Sequence, residues 1–352
     1  MSDSKSFVLC TRGSALALAQ ANQVLGYCRT TFPQYSFEIQ IFKTTGDKLQ
    51  TASMSATDPA LPKGLFTKEL EVALLEKTGD IAVHSLKDLP TELPDGLVVG
   101  SVLPRADVRD VLVYRAVEAV KAEKNPLAEW RPGQRPVLGL KGGIRLDDLP
   151  KDAIVATSST RRAAQVQLVR PDIRIVPIRG NVGTRLKKMR EENAFDATLL
   201  AAAGLVRLNL DIGPKGDLRI DPRLPADVRA KTDAPPAGLL ASLLEPQEML
   251  PAVGQGAVAL EVRQGDERVA EICAALNHYN TFQAVTAERS FLRAMGGGCQ
   301  SPVAGYARVV GHRVHLSAAA FENGKARRAE WALPVREAEQ LGREVAARLK
   351  AG

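Results

Sequence analysis

The chain has 352 residues, which predicts two or three domains at roughly 150 residues per domain. A composition of 45% hydrophobic and 25% charged residues excludes a disordered, fibrous or coiled-coil protein, and 5% aromatic residues argue against a stacking platform for single-stranded nucleic acid. The net charge is +7, from 47 basic and 40 acidic residues. The longest apolar run, 197–206, is far shorter than the ~18 residues of a membrane span.

The beginning of the chain and its cysteines favour a reducing compartment. The first six residues are polar and lead directly into the apolar run 7–10, so we expect no secretory or transit peptide and a cytoplasmic protein. The four cysteines show no CxxC pair and no disulfide-like spacing. The only neighbouring histidines are His312 and His315, and without an HExxH motif no metal site is predicted.

The first hundred residues alternate strand and helix patterns. Apolar residues recur with helical spacing over 18–28 and 66–77. Strands that alternate with helices of this length predict a mostly parallel sheet with crossover helices. The predicted strands cover 7–10, 37–42, 81–83 and 97–103.

The pattern restarts at Ala153, which predicts a second, similar α/β domain. Its predicted helices cover 160–169 and a stretch that ends near Glu192. Two stretches, 117–152 and 211–248, are rich in charge, glycine or proline and are predicted to be surface loops. The predicted strands of this half cover 154–156, 173–178 and 197–200.

The last seventy residues predict a small α+β domain. A helix over 285–294 precedes the glycine-rich segment 296–298, and a second helix ends the chain. The predicted strands between them cover 303–309, 313–320 and 328–333.

Arginines follow the predicted strands in turns that open helices. Ligands of open parallel sheets bind outside the carboxyl ends of the strands, where helix N-termini add a partial positive charge. Arginine there suits a carboxylate or phosphate, so the pattern predicts a cleft for a multiply anionic ligand. The alternative is that each arginine is an ion-paired surface residue. The five arginines are Arg12, Arg161, Arg162, Arg179 and Arg185.

The segment 80–88 places four polar residues at the exit of an apolar strand. Asp88, beside Lys87, could be a carboxylate held ionised and able to stabilise a developing positive charge. The alternative is an ordinary helix cap with a surface pair. His84 taken alone is more typical of a hydrogen-bonded structural histidine than of a base.

Cys299 lies directly after three consecutive glycines, Gly296–Gly298. Such a backbone leaves a thiol uncovered, so Cys299 could be a nucleophile, a redox thiol or a covalent attachment point. The other three cysteines are expected to be inert core residues. The absence of GxGxxG, Walker and GxSxG motifs leaves dinucleotide, nucleoside triphosphate and serine-hydrolase functions without support.

Nine motifs in order along nearly the whole chain resemble the porphobilinogen deaminase family. Together they are highly specific. They are TRGSALALAQA (11–21), KTTGD (43–47), KGLFTKELE (63–71), DIAVHSLKDLPTELPDGL (80–97), ATSSTRRAAQ (156–165), IRGNVGTRL (178–186), LLAAAGLVRL (199–208), PAVGQGA (251–257) and GGGCQSPVAGYA (296–307).

The resemblance implies a fold and a reaction. The fold is two similar periplasmic-binding-protein-like α/β domains with a cleft between them, 1–105 with 256–275 and 106–255, and a small C-terminal α+β domain, 279–352. The reaction is the condensation of four porphobilinogen molecules, with loss of ammonia, into the linear tetrapyrrole hydroxymethylbilane. It takes place on a dipyrromethane cofactor that is bound covalently through a thioether to the cysteine matching Cys299.

The resemblance also implies roles for individual residues. Asp88 matches the catalytic carboxylate, and Lys63 and Lys68 lie in a segment similar to the active-site loop. Positions matching cofactor-binding residues are Ser85, Lys87, Asp88, Thr157, Ser159, Arg161, Arg162, Gly183 and Arg185. Positions matching substrate-binding residues are Arg12, Ser14, Gln20, Arg179, Arg207 and Gln255.

Two other functions compete with the enzyme. A non-catalytic protein that captures a polyanionic small molecule would need neither Asp88 nor the Cys299 segment. Nucleic-acid binding is prompted by the net charge of +7, but low aromatic content and arginines placed in turns disfavour it. We therefore expect porphobilinogen as the partner, no nucleic acid or membrane, and, from the resemblance, a monomer.

Overall fold

A computed structural model describes residues 6–46, 66–122, 138–297, 301–322 and 324–351. The chain divides into two units, and the three-domain division expected from the sequence stays a prediction. The first unit comprises Met1–Ala106, Ala252–Ala320 and Arg327–Gly352, and the second comprises Asp107–Pro251 and Phe321–Ala326.

The elements follow one another in three groups along the chain. The first group is β1 (Ser6–Arg12), α1 (Ala15–Thr31), β2 (Ser36–Phe42), α2 (Lys68–Leu75), β3 (Ile81–Ser85) and β4 (Leu97–Val102). The second is β5 (Asp110–Arg115), α3 (Val117–Ala122), β6 (Ile154–Ala156), α4 (Thr160–Val169), β7 (Arg174–Val176), α5 (Val182–Glu191), β8 (Ala197–Ala201), α6 (Ala202–Arg207), β9 (Leu210–Ile212), β10 (Leu218–Ile220), α7 (Ala226–Ala230) and β11 (Leu239–Leu244). The third is β12 (Val258–Arg263), α8 (Glu267–Leu276), α9 (Tyr279–Ala294), β13 (Val303–Val310), β14 (Arg313–Glu322), β15 (Lys325–Pro334) and α10 (Ala338–Ala351).

Each unit contains a five-stranded sheet, and the two sheets share one topology. In the first, the order is β2-β1-β3-β12-β4, with β1 parallel to β2 and β3, and β12 antiparallel to β3 and β4. In the second, the order β7-β6-β8-β5-β11 repeats these directions strand for strand. The expected pair of similar α/β domains is thus confirmed.

Four of the five strands in each sheet run in the same direction, as the prediction of mostly parallel sheets requires, but one interior strand makes half of the pairings antiparallel. The strand responsible in the first sheet is β12, which enters from the distant end of the unit. Parallel neighbours need a crossover connection, usually a helix, and a strand that arrives from elsewhere in the chain is free of that requirement.

Helix α1 positions the first of the turns that matter for function. The side chain of Ser14 accepts a hydrogen bond from the backbone N–H of Ala17 at 3.3 Å and so caps the helix. Ala21, Val24 and Cys28 are buried in one core cluster with residues of β1 and β3. The apolar stripe predicted over 18–28 therefore covers the sheet and holds the start of α1 at the carboxyl end of β1.

The prediction that 211–248 is a surface loop is wrong where β11 lies. This strand pairs with β5 along its whole length, and Leu239 and Leu244 are buried. A short apolar run without alternation gives no strand period, and its proline-rich flanks resemble a loop. In the other stretch, Leu146 and Leu149 are buried in the core of the second unit, while 123–137 lies outside the described residues.

The C-terminal elements form the expected small α+β layer. A three-stranded sheet in the order β13-β14-β15 shares a hydrophobic core with α9 and α10. Helix α9 begins at Tyr279, earlier than predicted, because the His278 side chain caps it by accepting from the N–H of Thr281. None of the described helices combines the length and the hydrophobicity needed to cross a bilayer.

A buried carboxylate joins these C-terminal elements to the first sheet. Glu288, on α9, accepts hydrogen bonds from Arg105 Nη1 at 2.6 Å and Nη2 at 3.0 Å. It also accepts from the backbone N–H groups of Gly254 and Ala307, each at 2.7 Å. Because a buried carboxylate is costly unless paired, these four bonds fix the mutual position of three separated segments.

We expect Glu288→Gln to destabilise the protein by about 3–5 kcal/mol, as when one partner of a buried ion pair is removed. The amide would leave the Arg105 guanidinium without its counter-charge. Its NH2 group would also face N–H donors of Arg105 or of the backbone in place of an acceptor oxygen. The measurement is the midpoint of urea unfolding at constant slope.

Glu339→Gln is the matched control for this substitution. Glu339 pairs with Arg343 at 2.9 Å on the surface of α10, where both side chains are exposed, so its removal should change the midpoint little. Equal shifts for the two variants would show that the buried pair contributes no more than a surface pair.

Candidate active site

In the first unit, the candidate residues gather where β1 and β3 end. These strands are parallel neighbours, so their carboxyl ends meet at one edge of the sheet. Arg12 is the last residue of β1, and its guanidinium carbon lies 4.2 Å from the centroid of the Phe66 ring. Ser14 caps α1 two residues later. The cation–π contact orients the Arg12 side chain at this edge.

The exit of β3 carries the catalytic candidate. Ser85 ends the strand and receives a hydrogen bond from Gln20 Nε2 on α1 at 2.8 Å. The chain then forms a single 3-10 turn over Leu86–Asp88. Leu86 is buried, Lys87 is half-buried and Asp88 is exposed. The buried Leu86 therefore holds the turn in place, and the turn directs the Asp88 carboxylate outward.

The segment 252–257 packs against the backbone of this turn. Gly254 has φ +72°, and a Cβ there would lie 3.1 Å from Leu86 Cγ and from the backbone nitrogen of Lys87. The next residue, Gln255, is buried, and its carbonyl accepts from Arg105 Nε at 2.9 Å. Gly254 is thus required both for its conformation and for this close approach.

His84 is a hydrogen-bonded structural residue, as the sequence predicted. Its Nε2 lies 2.9 Å from Glu261 Oε2 on β12, and both side chains are buried. Glu71, on α2, is also buried, and burial raises the pKa of its carboxyl. These groups face the interior behind β3, away from solvent.

In the second unit, the candidates follow three adjacent parallel strands. Thr157 lies between β6 and α4, where its Oγ1 accepts from the N–H of Ser159 at 3.1 Å. Ser159 caps α4, its Oγ accepting from the N–H of Arg162 at 3.4 Å. The first turn of α4 then carries Arg161 and Arg162.

These two arginines share one buried counter-charge that the sequence did not reveal. Asp110 Oδ2 lies 2.8 Å from Arg161 Nη1, and Asp110 Oδ1 lies 2.7 Å from Arg162 Nη2. Burial alone would raise the pKa of the Asp110 carboxyl, but both guanidinium groups outweigh it and hold that pKa well below its usual range. Burial lowers the pKa of Arg161, and Asp110 opposes this effect.

The buried cluster still carries a net positive charge, two guanidiniums against one carboxylate. Within the described part of the chain, Arg161 Nε is buried without a hydrogen-bond partner. A buried donor of this kind is costly unless an acceptor reaches it. The cluster is therefore able to hold an anionic group, which is the chemistry expected of a cofactor that bears carboxylates.

The remaining candidates of this unit lie on the next two strand–helix junctions. Arg179 is exposed between β7 and α5. Gly183 is exposed in the first turn of α5, and Arg185 Nε donates to the carbonyl of Gly180 at 2.8 Å. Arg207 ends α6 after β8, and burial lowers its pKa to about 10. Arg179 and Arg185 follow the carboxyl end of β7, as the arginine pattern predicted.

Three predicted residues are not placed at these strand ends by the structure. Cys299 and Lys63 lie outside the described residues, and Lys68 is exposed at the start of α2. Sequence reasoning missed Asp110, for which one signal existed: an aspartate that begins the apolar run 110–114 must be paired if the run is buried. It also missed Phe66 beside Arg12.

Comparison with known proteins identifies the family. The family model described as Porphobilinogen deaminase, dipyromethane cofactor binding domain, matches residues 7–271, and the Porphobilinogen deaminase C-terminal domain matches residues 282–351. The chain belongs to the porphobilinogen deaminase family. The first match contains every candidate residue except Cys299, which lies in the second.

Curated relatives agree over nearly the full length. The porphobilinogen deaminase of Desulforudis audaxviator is 39% identical over 98% of this chain and 94% of its own. That of Syntrophomonas wolfei is 40% identical over 96% and 93%, and that of Thermus thermophilus 41% over 86% and 80%. As a porphobilinogen deaminase family member, this chain is a transferase of tetrapyrrole biosynthesis.

The pH dependence of stability tests the pairing of Asp110. We expect Asp110→Asn to cost about 3–5 kcal/mol at pH 7, since it leaves two buried guanidiniums facing each other. The folded pKa of Asp110 is depressed, so the contribution of the carboxylate is complete above the unfolded pKa of ~3.9. It then declines by about 1.4 kcal/mol per pH unit as the pH falls toward the folded value.

The measurement is the free energy of urea unfolding of both proteins at pH 7 and pH 3, where the difference should be about 1 kcal/mol smaller at the lower pH. Asp211→Asn is the control, because Asp211 also faces two arginines, Arg219 and Arg223, but at the surface. A pH-independent difference for Asp110→Asn would contradict the pairing.

Proposed function

We propose that this chain is a hydroxymethylbilane synthase. It joins four porphobilinogen molecules head to tail, each with release of ammonia, onto a covalently bound dipyrromethane cofactor and then releases the linear tetrapyrrole by hydrolysis. The observation that carries the proposal is the exposed carboxylate of Asp88 on an anchored turn, in a chain of the porphobilinogen deaminase family.

Asp88 is the proposed catalytic residue. Leu86 and Leu89, on either side of Lys87 and Asp88, are both buried, so the turn is held while the carboxylate faces outward. A carboxyl group in that position can assist proton transfer to the leaving amine of porphobilinogen. It can also stabilise the positive charge that develops on the substrate when ammonia departs.

We assign arginines to bind the carboxylates of the pyrrole units. Every pyrrole unit bears an acetate and a propionate, so a growing chain accumulates negative charge. Arg12, Arg179 and Arg207, with Ser14, Gln20 and Gln255, are assigned to substrate and product chain. The exposure of Arg179 and the carboxyl-edge position of Arg12 support this assignment.

The remaining polar residues are assigned to the cofactor, attached through a thioether to Cys299. When bound, the dipyrromethane supplies the pyrrole carbon to which the first substrate is joined. The net positive charge of the buried Arg161–Asp110–Arg162 cluster supports a carboxylate ligand there, as does Arg161 Nε, which has no hydrogen-bond partner among the described residues. The proposed cofactor-binding set is Ser85, Lys87, Asp88, Thr157, Ser159, Arg161, Arg162, Gly183 and Arg185.

The proposal includes the setting of the enzyme. We assign it to the cytoplasm, acting as a monomer on porphobilinogen without nucleic acid. Cys10, Cys28 and Cys273 are free and buried, which supports a reducing compartment. Lys63 and Lys68 are assigned to the active-site loop.

The intact mass of the freshly purified, denatured protein tests the cofactor. We expect an excess equal to two linked pyrrole units, absent from Cys299→Ser. Cys273→Ser is the control and should keep the excess, since burial raises the pKa of that thiol to about 11 and leaves it unreactive. An excess that persists in Cys299→Ser would place the attachment elsewhere. An unmodified mass both before and after incubation with porphobilinogen would contradict a covalent cofactor.

Asp88→Asn tests the catalytic role. The amide keeps the size of the side chain but cannot exchange the proton, so turnover of porphobilinogen should fall by about 10²–10⁴-fold with an unchanged melting temperature. Asp95→Asn, at an exposed aspartate of the same connection between β3 and β4, is the control and should retain full turnover. Full activity of Asp88→Asn would refute the assignment.

A further inference from the structure

Helix α9 presents one stripe of side chains to the segment that carries Asp88. Val285, Arg289 and Arg293 are spaced four residues apart and so share one face of the helix. Val285 is buried in one cluster with Leu86 and Leu89, the residues that flank Lys87 and Asp88. The apolar end of the stripe therefore anchors the catalytic turn.

The charged part of the stripe holds the backbone directly after Asp88. Arg289 is only 9% exposed, and it donates from Nη1 to the carbonyl of Leu89 at 3.2 Å and from Nη2 to that of Pro90 at 2.6 Å. Arg293 Nη2 donates to the carbonyl of Thr91 at 2.8 Å. Three successive carbonyls are thus fixed by charge-assisted hydrogen bonds from one helix.

The residue before Arg289 supports the other side of the turn. Glu288 fixes the backbone N–H of Gly254 at 2.7 Å, and Gly254 lies directly against Leu86 and the backbone of Lys87. Two consecutive residues of α9 therefore determine the backbone on both sides of Asp88. Among the described residues, no hydrogen bond or ion pair joins the exposed carboxylate to α9, so any influence of Arg289 on it is indirect.

We propose that Arg289 is a positioning residue for Asp88. By holding the carbonyls of Leu89 and Pro90, its guanidinium sets where the carboxylate stands when substrate is bound. The inference rests on the proposed role of Asp88. Misplacement of a catalytic group by about 1 Å can cost on the order of 10²-fold in rate. Because Arg289 is assigned no contact with substrate, its loss should lower kcat and leave KM unchanged.

A cavity beside Arg289 makes chemical rescue feasible. It has a volume of about 350 Å³ and is lined by Arg289, Arg293, Phe282 and Val285, among others. Removal of the Arg289 side chain would enlarge it further. A small planar cation such as methylguanidine can then enter and donate to the same two carbonyls. Recovery of kcat by this cation would show that the lost guanidinium contacts, and not a general folding defect, lower the rate.

The experiment uses the full-length holoenzyme, with cofactor loading first verified by intact mass. Arg289→Ala should lower kcat roughly 10- to 100-fold with KM within about two-fold of wild type, and millimolar methylguanidine should restore part of kcat. Arg289→Lys keeps the charge but loses the planar pair of donors, and it should lie between these values. Arg343→Ala, at an exposed arginine of α10, is the control and should match wild type with no response to methylguanidine.

The outcomes separate this inference from the function on which it rests. Unchanged kcat in both Arg289 variants, or a rise in KM alone, would overturn the positioning role while Asp88→Asn remains inactive. If Arg289→Ala does not fold, an Arg289→Lys enzyme with wild-type kcat is enough to refute the role. A fully active Asp88→Asn would instead refute the proposed function itself.

Discussion

A carboxylate removed from water must obtain its counter-charge and hydrogen bonds from the protein, and in the first unit this requirement centres on Glu288. Its four donors come from Arg105, Gly254 and Ala307, which lie in segments far apart in sequence. Their positions are therefore mutually dependent. Gly254 lies against the turn that carries Asp88. By fixing Gly254, the buried Glu288 therefore also restricts the position of the turn and of its exposed carboxylate.

The second unit meets the same requirement with a surplus of positive charge. Arg105 and Glu288 form a neutral buried pair, whereas Asp110 serves both Arg161 and Arg162 and leaves one positive charge in excess. An excess buried charge is tolerated where a ligand of opposite sign completes the site. The related topology of the two sheets thus carries different chemistry at equivalent edges: a carboxylate after β3, and guanidinium groups after β6, β7 and β8.

The sequence predicted the elements whose pattern is local. The apolar stripe of α1, and the strands that end at Arg12 and Ser85, can be recognised from the hydrophobic pattern of a few consecutive residues. Strands β5 and β11 were missed because their apolar residues do not alternate with polar ones, and their flanks resemble loops. The pairing of Asp110 could not be predicted either, since its partners lie on another element and only the sheet brings them together. Arginines were placed correctly at strand ends, but burial of Arg161 and Arg162 depends on that distant aspartate.

Environment decides which acid near β3 can do chemistry. His84 and Glu261 are buried and bound to each other, so a proton on this pair has no route to a substrate. Glu71 is also buried, and its raised pKa disfavours a charge that could stabilise a cation. Of these four groups Asp88 alone is exposed, and it stands on backbone held by Arg289 and Glu288 through neighbouring residues. The buried groups hold the strand in place, and the exposed one is the group proposed to act on the substrate.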